Sequence, residues 1–99
     1  MPRIELLEQI YTIVEQIPVG RVTTYGCIAA MTEGATPRMV GSALRNLPAG
    51  HQLPWHRVIA ASRKLADHAG AQRQYQKLRN EGVVFDSKGR VAFDLVWPD

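Results

Sequence analysis

A chain of 99 residues with 45% hydrophobic and 21% charged side chains makes one ordinary folded domain, residues 1–99, and excludes both a disordered tail and a cleft between two domains. Twelve Lys and Arg against nine Asp and Glu leave a formal charge of +3, too small to name a partner by itself. No apolar run reaches the length of a membrane span, the first residues lack the apolar stretch of a signal peptide, and the one cysteine, Cys27, excludes an internal disulfide, so a cytoplasmic chain without membrane contact is expected.

The spacing predicts a first helix from about Ile4 to Ile17. Leu6, Ile10, Ile13 and Ile17 repeat on one face, and Leu7, Tyr11 and Val14 widen that stripe. Pro18 and Gly20 end it. Thr24 is placed to cap a short second helix running from Tyr25 to Met31, with Gly34 as its stop. Thr36-Pro37 is the clearest start signal in the chain, a hydroxyl cap followed by a proline whose missing N–H costs nothing in the first turn. In the third helix Val40, Ala43, Leu44 and Leu47 share an apolar face, whereas Arg38, Ser42 and Arg45 share the opposite one with Gly41 at its edge, until Pro48. Two helices joined by a short Gly-containing turn, the second greasy on one side and small and basic on the other, form a helix-turn-helix that can read DNA. A solvated helix face is the plain alternative for Arg38 and Arg45.

From Gly50 to Ala66 the chain reads as a loop, a short buried strand around Arg57 to Ala60, and a second loop. A fourth helix follows over Gln72 to Glu81, with Tyr75 and Leu78 inward, Arg73, Lys77 and Arg79 outward, and Gly82 just past its end. Val83-Val84-Phe85 and Val91 to Leu95 alternate around a turn and predict a hairpin, the wing of a winged helix. The expected fold is mainly α with a small β element, a winged helix-turn-helix-like domain. Basic residues gather in the central and later segments while Glu5, Glu8 and Glu15 load the first helix, as suits a phosphate-binding module.

Four segments carry a resemblance: Val22-Thr23-Thr24-Tyr25-Gly26, Pro37 to Arg45, Leu53-Pro54-Trp55-His56-Arg57-Val58-Ile59, and Glu81-Gly82. In this order and approximate spacing they resemble the DNA-binding domain of the O6-alkylguanine-DNA alkyltransferases, with Trp55 where the Pro-Cys-His-Arg-Val signature of that family holds its cysteine. The chain reads as that half standing alone. An indole has no dissociable thiol with which to accept an alkyl group, so the resemblance is to the alkyltransferase-like branch, which binds the lesion without repairing it.

That resemblance implies roles residue by residue. His56 and Glu81 match the base and orienter of the alkyltransferase relay and, with no nucleophile to serve, are expected to form a structural pair that holds the loop presenting Trp55. Pro54 and Trp55 would wall the pocket that receives the flipped base, although a Trp beside a Pro also fills a core. Arg38 would enter the duplex from the minor groove, Tyr25 would press on the 3′ phosphate, and Gly41, Ser42 and Arg45 would lie close to the duplex, giving sequence-tolerant binding. Leu47 stands where the family has its Asn hinge, with Asn46 adjacent. His68 and Ala69 stand near the Tyr-Ser wall that closes the pocket, and a smaller wall at Ala69 implies tolerance of adducts larger than methyl.

Cys27 reads as a small core residue inside the second helix, and His51, His56 and His68 make no metal pattern, so neither a metal nor another cofactor is expected. The resulting expectation is a monomeric, non-enzymatic sensor of O6-alkylguanine in double-stranded DNA that hands the lesion to nucleotide excision repair proteins. Two alternatives stay open: an alkyl-transferring or dealkylating enzyme with an unusual acceptor, and a winged-helix transcriptional regulator.

Overall fold

The computed structural model describes residues 4–65 and 70–98. Helix α1 spans Ile4–Gln16, strand β1 Thr23–Thr24, helix α2 Tyr25–Ala30 and helix α3 Pro37–Arg45. A 3₁₀ turn, Trp55–Arg57, leads into strand β2, Val58–Ile59; helix α4 covers Ala71–Asn80, and a second 3₁₀ turn covers Phe93–Leu95. The fold is mainly helical with one two-stranded sheet, and none of its described helices is long and apolar enough to cross a membrane.

The apolar stripe of α1 does what its spacing requires. Ile10, Val14 and Ile17 enter a core shared with Ile28 and Ala29 of α2, Val40 and Ala43 of α3, and Val58, with Leu7, Tyr11 and Ile13 packed at its margin. A second core gathers Val22, Ile59, Leu78, Val83 and Val91. The sheet stands between them. β1 and β2 pair in parallel, Thr23 with Val58 and Thr24 with Ile59, and because successive strand residues face opposite ways, Val58 enters the first core and Ile59 the second. Two residues of strand thus join both halves of the molecule.

Both predicted caps form. Thr24 Oγ1 accepts the backbone N–H of Cys27 at 3.0 Å, and Thr36 Oγ1 accepts that of Met39 at 3.2 Å with Pro37 in the first turn of α3. Cys27 is only half-buried and lies outside both cores, so it is less a core residue than its helical position suggests. Asn46 closes α3, its side-chain amide donating to the Ser42 carbonyl at 2.8 Å, which places Leu47 beyond the helix.

Two expectations need correction. Tyr75 is not inward: it is 42% exposed, and the buried partner of Leu78 on α4 is Gln74. The hairpin after Val83 is reduced to a single bridge, Phe85 with Val91, around the turn made by Asp86 and Gly89. Its second limb leaves early because its backbone groups find other partners: Val91 N–H donates to Arg63 O, and Leu95 O, at the end of the 3₁₀ turn, accepts the Val22 N–H.

Candidate nucleic-acid interface

Proline sets up the turn that carries Trp55. Pro54, at φ −80° and ψ 64°, occupies the inverse γ-turn, and the Trp55 N–H donates to Leu53 O at 2.9 Å across it. The chain then tightens into the 3₁₀ turn and extends into β2. Trp55 is left half-buried, its ring edge-on to His56 at 6.2 Å between centroids, with the Arg73 guanidinium 5.8 Å from the indole centre. An open concavity of about 510 Å³ lies here. Pro54, Trp55 and His56 line it together with Arg73 and Lys77 from α4, and its described lining includes no thiol or hydroxyl side chain.

Beneath Trp55 a polar network fixes the turn to the rest of the molecule. His56 Nε2 lies 2.7 Å from Glu81 Oε2, Arg57 meets the same carboxylate through Nε at 3.0 Å and Nη2 at 2.8 Å, and Arg57 Nη1 donates to Ile17 O at 2.7 Å. The Gly20 N–H adds a fourth group, donating to Glu81 Oε1 at 3.3 Å from a backbone with φ +83°, a region that suits glycine. Partial burial of Glu81 disfavours its charge, but the hydrogen bonds from Arg57, His56 and Gly20 outweigh that and hold its pKa at about 2. Burial pushes His56 below its ordinary value despite the opposing pull of Glu81. A neutral imidazole facing an ionised carboxylate carries its proton on Nε2, so Nδ1 remains as an acceptor.

The α2–α3 face forms the second cluster. Gly41 lies between the Arg45 guanidinium and the Tyr25 ring: a Cβ there would make ordinary van der Waals contact with both, 3.5 Å from Arg45 Nη1 and 4.0 Å from Tyr25 Cε1. Tyr25 rests against the first core; burial raises its phenol pKa, and the nearby Arg45 charge offsets only part of the rise. Arg38 is exposed and makes no hydrogen bond or ion pair with the described residues, so its guanidinium is free for an outside group. Ser42 is half-buried one turn further along. Tyr25, Gly41 and Arg45 therefore come together, as do Trp55, His56 and Glu81 through the polar network beneath Trp55, with no hydrogen bond or ring contact joining the two clusters among the described residues.

Comparison with known proteins decides what kind of domain presents these clusters. The family model of the 6-O-methylguanine DNA methyltransferase DNA-binding domain matches residues 5–83. The chain belongs to that family. It is 43% identical over 90 residues to the DNA base-flipping protein of Vibrio parahaemolyticus, covering 89% of this chain and 90% of that one. It is 39% identical over 99 residues to alkyltransferase-like protein 1 of Schizosaccharomyces pombe, covering 96% and 92%. The crystal structure of S. pombe Atl1 in complex with damaged DNA containing O6-carboxymethylguanine superposes with a TM-score of 0.82 at 33% identity, over 100% of both chains.

Within this methyltransferase-domain frame, three residues of the site escaped the sequence reading. Arg57 was visible inside the Pro-Trp-His-Arg-Val motif, but nothing local showed that it would grip Glu81 and tie it to α1. Gln74 donates to both His56 O at 3.1 Å and Val58 O at 2.8 Å, pinning the Trp55 turn to α4; the one signal was its place four residues before Leu78 on the buried stripe. Arg73 over the indole had no sequence signal. His68 and Ala69, read as the pocket wall, lie outside the described residues.

Proposed function

We propose that this protein is a non-enzymatic sensor of alkylated DNA that binds O6-alkylguanine in a duplex. The carrying observation is the substitution inside an otherwise intact site: His56, Arg57 and Glu81 keep a complete hydrogen-bonded network, while the residue it supports is an indole at the wall of an open groove. A tryptophan can stack on or wall an extruded base, but it offers no thiolate nucleophile to accept an alkyl group. The names of the relatives support this reading, one a base-flipping protein and one an alkyltransferase-like protein whose S. pombe form has been seen on DNA containing O6-carboxymethylguanine.

In this reading the two clusters divide the work. Arg38 enters the duplex from the minor groove and fills the gap left by the extruded nucleotide, Tyr25 presses on the 3′ phosphate, and the small surface at Gly41 and Ser42 with Arg45 beside it allows close approach to the backbone. The damaged base turns into the groove walled by Pro54 and Trp55, where Arg73 and Lys77 supply positive charge. A bound protein that leaves the adduct in place needs other enzymes to remove it, and nucleotide excision repair, which excises the damaged strand segment, is the proposed route.

The test is a titration of one duplex with and without a single O6-methylguanine at fixed salt, since phosphate contacts make affinity salt-dependent, followed by mass spectrometry of the recovered protein. The expected result is preferential binding with the protein mass unchanged and the methyl group still on the DNA. A mass gain would make the protein an alkyl acceptor. Equal binding to both duplexes, with preference for one undamaged sequence, would make it a regulator.

A further inference from the structure

Helix α4 has two working flanks. Gln74 and Leu78 point into the molecule; Arg73 and Lys77, one turn apart, line the Trp55 groove, whereas Tyr75 and Arg79, also one turn apart, line a different groove. At 3.6 residues per turn these pairs fall on opposite sides of the buried stripe. The second groove, of about 490 Å³, is closed by Lys64, Leu65 and Phe85 and by the turn carrying Asp86 and Lys88. Its floor is an aromatic pair, Tyr75 and Phe85, with ring centroids 5.0 Å apart, and Tyr75 is 42% exposed. Lys64, Arg79 and Lys88 stand around it, and none is paired with a carboxylate among the described residues. The one acid among its described lining residues, Asp86, is already committed, accepting the Lys88 and Arg90 N–H groups and the Arg90 Nε.

We propose that this second groove is a docking site for an acidic protein segment that carries an apolar side chain, the apolar group resting on Tyr75 and Phe85 and the acids meeting Lys64, Arg79 and Lys88. Charge complementarity names the occupant, and position selects protein over DNA. The groove is built on the second core, by Leu65 and Phe85, whereas α3 is built on the first. A duplex seated on α3 with a base in the Trp55 groove leaves the far flank of α4 uncovered, so a partner reaches the protein while the lesion stays bound. This role as the partner's handle rests on the lesion-binding reading; the peptide chemistry of the groove does not.

The probe is a fluorescein-labelled acidic peptide with a central phenylalanine, followed by anisotropy at fixed salt, against the same peptide with glutamine for each acid and against single-stranded oligothymidine. Saturable binding of the acidic peptide is expected, with both controls weaker by about tenfold. The double variant Arg79→Glu/Lys88→Glu should weaken the peptide by about tenfold or more and leave affinity for a lesion duplex within about twofold, while Arg73→Glu on the other flank should do the reverse. Lys64→Glu, on a separate segment, supplies an independent reversal should the double variant fold poorly. Peptide binding indifferent to these reversals, absence of saturable binding, or tighter binding of oligothymidine would each overturn the proposal. So would an equal loss of peptide and duplex affinity. A wild-type chain without lesion preference that still binds the peptide through Arg79 and Lys88 would confirm the docking site and remove only the lesion reading.

Discussion

At the level of single side chains, the site separates residues that stand free from residues that are spoken for. Arg38 is exposed and unpaired among the described residues, so Arg38→Ala removes little from the folded state and, in the proposed mechanism, removes the group that fills the vacated stack. Lesion affinity should fall by about 1–3 kcal/mol with the melting temperature unchanged; an alkylated duplex bound as tightly as before would take Arg38 out of the mechanism. Glu81 is the opposite case, since it accepts hydrogen bonds from His56, Arg57 and Gly20. Glu81→Gln leaves the Arg57 guanidinium in a part-buried place without its countercharge, and unfolding titrations should show a loss of about 3 kcal/mol. Trp55→Cys restores the alkyltransferase motif, yet by resemblance Leu47 stands where that family has its Asn hinge, so the proposed sensor lacks a second part of the enzyme pattern. Little methyl transfer to the new thiol is expected, and efficient thioether formation by mass spectrometry would show that the indole alone separates sensor from enzyme.

Among elements, what could be read in the chain was what local rules determine. The apolar repeat of α1, the Thr24 and Thr36 caps, and Pro37 in the first turn of α3 each depend on neighbours in sequence, and each formed. Elements whose hydrogen bonds go to distant partners were read less well. Alternation after Val83 suggested paired strands, but the backbone of that segment bonds to Arg63 and Val22 instead, leaving one bridge and a 3₁₀ turn. On α4, hydrophobicity favoured Tyr75 as the inward residue; geometry put Gln74 there, because the two carbonyls of the Trp55 turn that face α4 require a donor. The site was legible in the same measure: His56 and Glu81 by resemblance to a motif, Arg57, Gln74 and Arg73 only from the packed structure. Gln74→Leu tests the element that holds the turn. It keeps the side-chain bulk but strands His56 O and Val58 O, so stability should drop by about 2 kcal/mol. Lesion affinity should drop beyond any effect of stability, measured below the shifted melting point, because the Trp55 turn loses its anchor on α4; unchanged affinity would mean that the 3₁₀ turn holds its own shape.

For the molecule as a whole, two cores meet across a sheet of two residues per strand, and the Glu81 network supplies the polar part of the same joint, linking the end of α1 through Ile17 O, the Trp55 turn through His56 and Arg57, and the end of α4. Acid should therefore loosen the molecule at this joint. Glu81 titrates at about 2 in the folded chain against an ordinary 4.5, so its contribution is complete above pH 4.5 and is lost as pH falls from there toward 2. His56 is also lowered from its ordinary 6.5; the unfolded chain takes up that proton first, and stability begins to fall as pH drops below 6.5. Both shifts have the same sign, so the unfolding free energy should decline in two stages, first from His56 and then, more steeply, from Glu81. Urea titrations from about pH 7 to pH 3 on the wild type, Glu81→Gln and His56→Gln separate the stages. Glu81→Gln should remove most of the decline that begins near pH 4.5, leaving the smaller share of Asp86, whose carboxyl is also lowered by the Arg90 and Lys88 hydrogen bonds, and His56→Gln should remove the gentler one that begins near 6.5. A wild-type stability that is flat across this range would show that the joint is held by its apolar contacts alone, with the carboxylate serving only to orient the turn beneath Trp55.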